Sequence, residues 1–170
     1  MSKMFLAAAV LLLALAAPVS AQPVTGLGFA VIGPGSVSDG GDTTLHFSGG
    51  GEVLHRGVGA LAEVGFLGPT AGMSDGLGVL SLNGVYHIRV RRESGRVVSP
   101  FVTGGYSMFF RDGYANLWNL GGGIDWWLGR RVGVRFEVRD HVWSESYSSP
   151  YYSYSHTSHF WNVRTGVVFR

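Results

Sequence analysis

The segment Val132–Val142, Val-Gly-Val-Arg-Phe-Glu-Val-Arg-Asp-His-Val, sorts its residues by parity. An extended strand turns successive side chains to opposite faces, so Val132, Val134, Phe136 and Val138 share one side and Gly133, Arg135, Glu137 and Arg139 share the other. Such a strand needs an apolar phase against one face and a polar, charge-compensated space against the other. Water meets the second need for a soluble sheet, and a lumen meets it for a membrane barrel.

Helical i, i+3, i+4, i+7 patterns are not sustained anywhere, while Gly, Val, Tyr, Trp and Phe dominate; the chain reads as all-β. The alternation predicts eight strands: Val24–Gly33, Thr43–His55, Val58–Leu67, Val79–Val90, Val98–Arg111, Asn116–Leu128, Val132–Trp143 and Thr157–Phe169. Pro34–Asp42, Gly68–Gly78, Asp112–Ala115 and Ser144–His156 read as loops, mostly long, and Arg56-Gly57, Arg91–Val97 and Gly129–Arg131 as shorter turns. Long and short connections alternating around an even number of strands predict an eight-stranded antiparallel up-and-down transmembrane β-barrel, with tight periplasmic turns and longer external loops. No linker marks a second domain in 22–170, and a periplasmic peptidoglycan-binding module is not expected.

Residues 1–21 are set apart from this pattern. Lys3, an apolar run from Phe5 to Ala17 and the small residues ending at Ala21 read as a secretory signal cleaved after Ala21. The run is about 13 residues, short of the roughly 20 that a spanning helix needs. No later stretch is long and apolar enough either, so membrane residence must use strands. There is no cysteine to carry a lipid, so anchoring must come from the fold.

Composition supports lipid contact: 46% of residues are hydrophobic and only 14% charged, although 27 are glycine. The formal net charge is +2, and lysine occurs once, at Lys3, so the charge reflects a slight arginine excess and not a basic stripe; nucleic acid is excluded as a partner.

Extending parity to the other strands gives one almost uncharged face: Leu80, Leu82, Tyr86, Ile88 and Val90; Val102, Tyr106, Met108 and Phe110; Leu120, Ile124, Trp126 and Leu128; Trp161, Val163, Val167 and Phe169. Tyr106, Trp118, Trp126, Trp143, Trp161 and Phe169 suit interfacial aromatic belts. The opposite parity collects Glu52, Glu63, His87, Arg89, Asp125, Arg135, Glu137, Arg139, Asn162 and Arg164 among Gly and Ser. Charges of both signs can pair across neighbouring strands. Glu52, Glu63, Arg89, Asp125, Arg135, Glu137, Arg139 and Arg164 are therefore expected to form a lumen network that plugs an eight-strand interior just wide enough for side chains. Gly49–Gly51, Gly104-Gly105 and Gly121–Gly123 lie inside strands and are expected to give curvature and room for arginine side chains. No helix follows them, which argues against nucleotide binding. Alternation alone leaves a soluble barrel or sandwich open, since that exchanges inside for outside.

The export signal, the eight-strand pattern, the Arg135–Asp140 segment and the final strand Phe160–Phe169 resemble small bacterial outer-membrane β-barrel proteins of the OmpA/OmpX-like superfamily. The resemblance covers the chain after the signal. It implies a structural or surface protein of the bacterial outer membrane, with lipid and lipopolysaccharide as surroundings and the barrel-assembly machinery as a partner during biogenesis. It also implies that Phe169 serves as the terminal aromatic of the assembly signal, although this chain has Arg170 after it. A monomer is expected. A narrow channel for small solutes, a lipid A-modifying enzyme and a soluble periplasmic ligand-binding barrel are the alternatives.

Ester hydrolysis would need a nucleophile, a base and an orienting acid, for which Ser158 with His156 or His159, and Glu145, are the candidates. The surrounding segment is so rich in Ser and Tyr that such neighbours arise by chance. His156, His159 and His141 could suggest a metal site, but His156 and His159 fall on opposite faces of a strand and cannot chelate one ion together unless the segment is a turn. Neither a catalytic site nor a metal or cofactor is expected. Tyr147, Tyr151, Tyr152 and Tyr154, interleaved with Ser, form the candidate external contact loop, because Tyr offers large amphipathic area at low entropic cost.

Overall fold

A computed structural model describes residues 24–38, 43–70, 72, 75–88, 90–91, 97–149 and 152–170, with only the backbone for 91, 145–149 and 152–153. The expected export signal, Arg89 and Tyr151 lie outside the described residues. One antiparallel sheet is built from β1 (Val24–Val37), β2 (Thr44–His55), β3 (Val58–Pro69), β4 (Leu77–His87), β5 (Val90–Arg91), β6 (Val97–Phe110), β7 (Tyr114–Trp127), β8 (Val132–Ser149) and β9 (Tyr152–Phe169). The two-residue β5 and the longer β4 pair with the same strand, β6, so they are two segments of one wall position. Each strand pairs with its neighbours in sequence, and β1 pairs with β9, closing an eight-stranded up-and-down barrel with no free edge.

The connections sort to two ends. At one end lie Val24, Phe169 and the turns after β2, β5 and β7; at the other lie the connections after β1, β3, β6 and β8. The β2–β3 turn has two residues, Arg56 at φ 54° and Gly57 at φ 91°. Two central residues with positive φ match the right-handed twist of the flanking strands.

Ser144–His156 does not form the expected long loop: β8 and β9 continue as paired strands from Trp143↔Ser158 to Ser149↔Tyr152. The last β7–β8 pair is Trp118↔Val142 and the last β1–β9 pair is Val37↔Phe160, so the hairpin stands beyond the barrel wall as a two-stranded arm. Tyr and Thr favour extended backbone, and here that preference outweighs the loop-like serine content. Tyr147 occupies the register position opposite Tyr154, and Tyr154 is exposed and stacked on His156.

Parity holds around the wall. Leu82, Val102, Leu120, Phe136, Val138, Trp161 and Val163 are exposed on the outside, while charged and polar side chains are buried within. Trp143 is the exception to the expected aromatic belt. It shares the parity of Arg135 and Arg139, and it lines the lumen at the long-connection end.

Gly57→Ala should lower the unfolding free energy by about 1–2 kcal/mol, because an L side chain is disfavoured at this φ. A β-carbon there would also meet the His87 carbonyl oxygen at 2.6 Å. Arg56→Asn should leave stability equal or higher, since Asn tolerates the left-handed region. Urea titration of the detergent-folded protein checks both.

Candidate functional site

The lumen is layered. At the short-turn end Leu27, Phe29, Leu54, Val85, Phe101, Trp127 and Val168 pack into an apolar cluster. These positions face inward by the same alternation that turns their neighbours outward.

Arg135 lies against this cluster and has no solvent exposure. Its Nε and Nη2 donate to Asp125 Oδ1 and Oδ2 at 2.7 and 2.9 Å, and its Nη1 donates to Glu52 Oε1 at 2.6 Å. Asp125 is its direct neighbour in register on β7, whereas Glu52 reaches it from β2 across the lumen. His87 Nε2 lies 2.8 Å from Glu52 Oε2, and its Nδ1 lies 3.4 Å from Ser99 Oγ. The guanidinium carbon sits 4.6 Å from the Phe29 ring centroid and 4.5 Å from that of Phe101, so the cation is held between two aromatic rings. Space for the rings comes from two glycines of the tracts in β2 and β7. A β-carbon on Gly50 would fall 2.7 Å from Phe29 Cζ, and one on Gly123 would fall 2.8 Å from Phe101 Cζ.

A second ionic layer follows towards the long-connection end. Arg139 Nε donates to Glu137 Oε1 at 2.8 Å and Nη1 donates to Glu63 Oε2 at 2.9 Å. Arg164 Nη1 donates to Glu63 Oε1, and Nη2 pairs with Glu137 Oε1 at 2.8 Å. Two arginines and two glutamates form a neutral cluster joining β3, β8 and β9. Ser48 accepts from Arg164 Nη1 at 3.1 Å. On the facing wall Asn119 Nδ2 donates to Asn83 Oδ1 and Ser107 Oγ, at 2.8 and 2.9 Å, and the Ser81 and Ser107 hydroxyls meet at 2.7 Å. The seven described residues of the expected lumen network thus divide into two clusters. Their longest ties cross the lumen to strands that are not neighbours.

Above the ions the lumen turns apolar again. Leu67, Leu77, Phe109, Leu117 and Phe160 line a vestibule of about 530 Å³ at the long-connection end. His141 forms its floor, with the ring centroids of Phe109 and Phe160 at 5.3 and 5.9 Å. His46, Phe29 and Phe101 are not singled out by the sequence, and His141 enters there only beside His156 and His159 as a possible metal ligand. Parity would have placed the histidines inside, but apolar residues on both faces of β1 leave Phe29 ambiguous.

Of the residues weighed for ester chemistry, Ser158 Oγ lies 2.9 Å from His156 Nε2, and Glu145 occupies the register position opposite His156. His159 faces the other way, with its Nδ1 2.8 Å from Asp140 Oδ2 and its ring stacked on Trp161. Phe169 is exposed at the end of β9, its ring over Gly28 of β1.

No family model matches the chain. No curated protein matches it by sequence. Solved structures share its fold. Neisserial surface protein A aligns at a TM-score of 0.56 and 8% identity, over 87% of this chain and 99% of that one. The N-terminal β-barrel domain of OprF from Pseudomonas aeruginosa aligns at 0.54 and 14%, over 87% and 100%. A de novo designed transmembrane β-barrel aligns at 0.53 and 16%, over 87% and 97%. The likeness is to the fold of small eight-stranded membrane barrels. Because one counterpart is a designed sequence, it carries no particular biological role.

Arg135→Ala should cost about 3–5 kcal/mol, since it leaves Asp125 and Glu52 buried without their cation. Arg135→Ala combined with Asp125→Ala should cost less than the sum of the two single changes. Unfolding midpoints in urea for the refolded proteins, combined as a double-mutant cycle, provide the measurement.

Proposed function

We propose that this chain is a monomeric, membrane-inserted barrel of the bacterial outer membrane, exported through a signal removed after Ala21, and that its role is structural or surface-directed and not enzymatic. The observation that carries the reading is the inverted polarity of the wall: apolar side chains cover the outside while completely buried ion pairs fill the inside. A soluble barrel of this size keeps its apolar side chains within and its charges without. Lipid, including lipopolysaccharide in the outer leaflet, satisfies the outer face. The closed sheet satisfies every strand edge, as a bilayer requires. The barrel-assembly machinery would meet the β9 strand ending in Phe169 during biogenesis.

The two ionic layers and the apolar cluster beneath them support a sealed lumen. The protein should fractionate with the outer membrane and migrate faster unheated than boiled. Leu82→Arg, in the middle of β4, should destabilise the vesicle-inserted protein by about 2–4 kcal/mol, and Tyr114→Arg at the start of β7 by about 0–1 kcal/mol. Planar bilayers should show no reproducible current steps. Steps altered by Glu137→Ala would establish a channel and overturn the sealed lumen.

The Ser158–His156 contact favours a second reading, a lipid-modifying hydrolase. It requires that Ser158→Ala change the acyl composition of lipid A in cells expressing the protein. Identical mass spectra with wild type and variant remove it.

A further inference from the structure

We infer that the vestibule at the long-connection end is a binding site for a small, uncharged, largely apolar molecule carrying one hydroxyl or carbonyl group, which hydrogen-bonds to His141. The inference adds a ligand to a barrel whose lower lumen stays sealed.

Three observations carry it. First, the cavity of about 530 Å³ lies within the range of small-molecule sites and is walled chiefly by Leu67, Leu77, Phe109, Leu117 and Phe160. Second, His141 is only 1% exposed, and neither of its ring nitrogens has a hydrogen-bond partner among the described residues. A buried imidazole left without partners is costly, and a polar group on a ligand removes that cost. Other buried polar atoms also lack partners, but His141 and Thr44, whose Oγ1 is likewise unpaired, are the ones that line this cavity. The site therefore combines apolar walls with one deep polar anchor and a second near its mouth.

Third, the surroundings select against charge. Arg111 at the rim is already shared, with Nη2 3.4 Å from Asp75 Oδ1 and Nε 3.7 Å from Asp112 Oδ2. Among the described residues, two carboxylates stand against this one guanidinium, which disfavours an anion. An ammonium group would have to leave water for an apolar chamber whose nearest ions, Arg139 and Arg164 with Glu63 and Glu137, already balance one another. A neutral ligand faces neither penalty. Ser158 and Trp143 flank the opening, so a ligand of this kind would enter beside the arm.

The test uses 2-naphthol, an uncharged aromatic with one hydroxyl, against the full chain in lipid nanodiscs, with empty nanodiscs as the reference for partitioning into lipid. Saturable one-site binding is expected, together with shifts in the His141 ring 15N resonances that saturate in parallel. His141→Phe keeps the ring and removes the anchor, and it should weaken 2-naphthol about fivefold while leaving naphthalene unchanged. Ala115→Trp, which fills the vestibule, should abolish binding of both. 2-Naphthoate, with the same ring system and a carboxylate, should bind at least tenfold more weakly than 2-naphthol. Uptake equal to that of empty nanodiscs, His141 resonances unmoved at saturation, or naphthoate binding as tightly as naphthol would each overturn the inference. The wild-type resonance titration decides the question even if a variant fails to fold.

Discussion

A guanidinium without access to water must be given charge, hydrogen bonds and polarisable surface by the protein itself, and Arg135 is in that position. Desolvating such an ion costs several kcal/mol even after relaxation, on the order of the whole stability of a small domain. Asp125 supplies a bidentate partner from the next strand, Glu52 supplies a second from across the lumen, and Phe29 and Phe101 set their rings against the cation. Each of these demands something further. The rings need Gly50 and Gly123 beside them, and the Glu52 contact fixes how far β2 stands from β8. A local charge requirement therefore propagates into glycine placement and barrel closure.

The ions also settle which face points inward. In a lipid environment the outer surface is as apolar as a protein core, so burial of hydrophobic area alone cannot tell a strand which side to present to the lumen. A one-residue slip would send Arg135, Glu137 and Arg139 of β8 to the outside. Glu52 on β2, Glu63 on β3, Asp125 on β7, the Arg-Glu-Arg series on β8 and Arg164 on β9 remove that ambiguity for five strands. Pairing partners on different strands then favours one relative register over its neighbours. This directional role matters more than any net stabilisation, because buried ion pairs often contribute little beyond what apolar residues of equal volume would.

The same physics decides what the sequence reveals. Parity on β8 places Arg135, Glu137 and Arg139 on one face without any structure, because only one arrangement of alternating charges satisfies both sides of a strand. β1 carries no charge, so Leu27, Phe29 and Val31 could have faced either way. Their inward position follows from the register with β2, which sets Leu27 opposite Glu52, Phe29 opposite Gly50 and Val31 opposite Ser48. Cross-lumen contacts such as Glu63 with Arg164 depend on the diameter of a closed barrel, which strand patterns do not specify. The arm was obscured by composition: its Ser and Tyr residues satisfy a loop pattern as well as an extended one, and pairing between β8 and β9 decides between them. Trp143 was misplaced for a related reason, since an aromatic near a strand end fits an interfacial belt unless its parity is followed from Arg135.

The layering separates two properties that a simple filled barrel would combine. Opening the lower lumen would mean parting Arg135 from two carboxylates and the Glu63 and Glu137 carboxylates from two arginines at once, because each cluster shares its partners. Partial opening gains nothing, since a single broken contact leaves a charge buried and uncompensated. The seal is thus cooperative within each layer. The vestibule above it keeps its shared ion, Arg111 with Asp75 and Asp112, at the exposed rim; its walls are apolar side chains whose contacts are replaced, not lost, when an apolar molecule enters. Molecules can therefore occupy the outer end of the lumen without disturbing the charges that define the barrel, and His141 marks the level at which one regime gives way to the other.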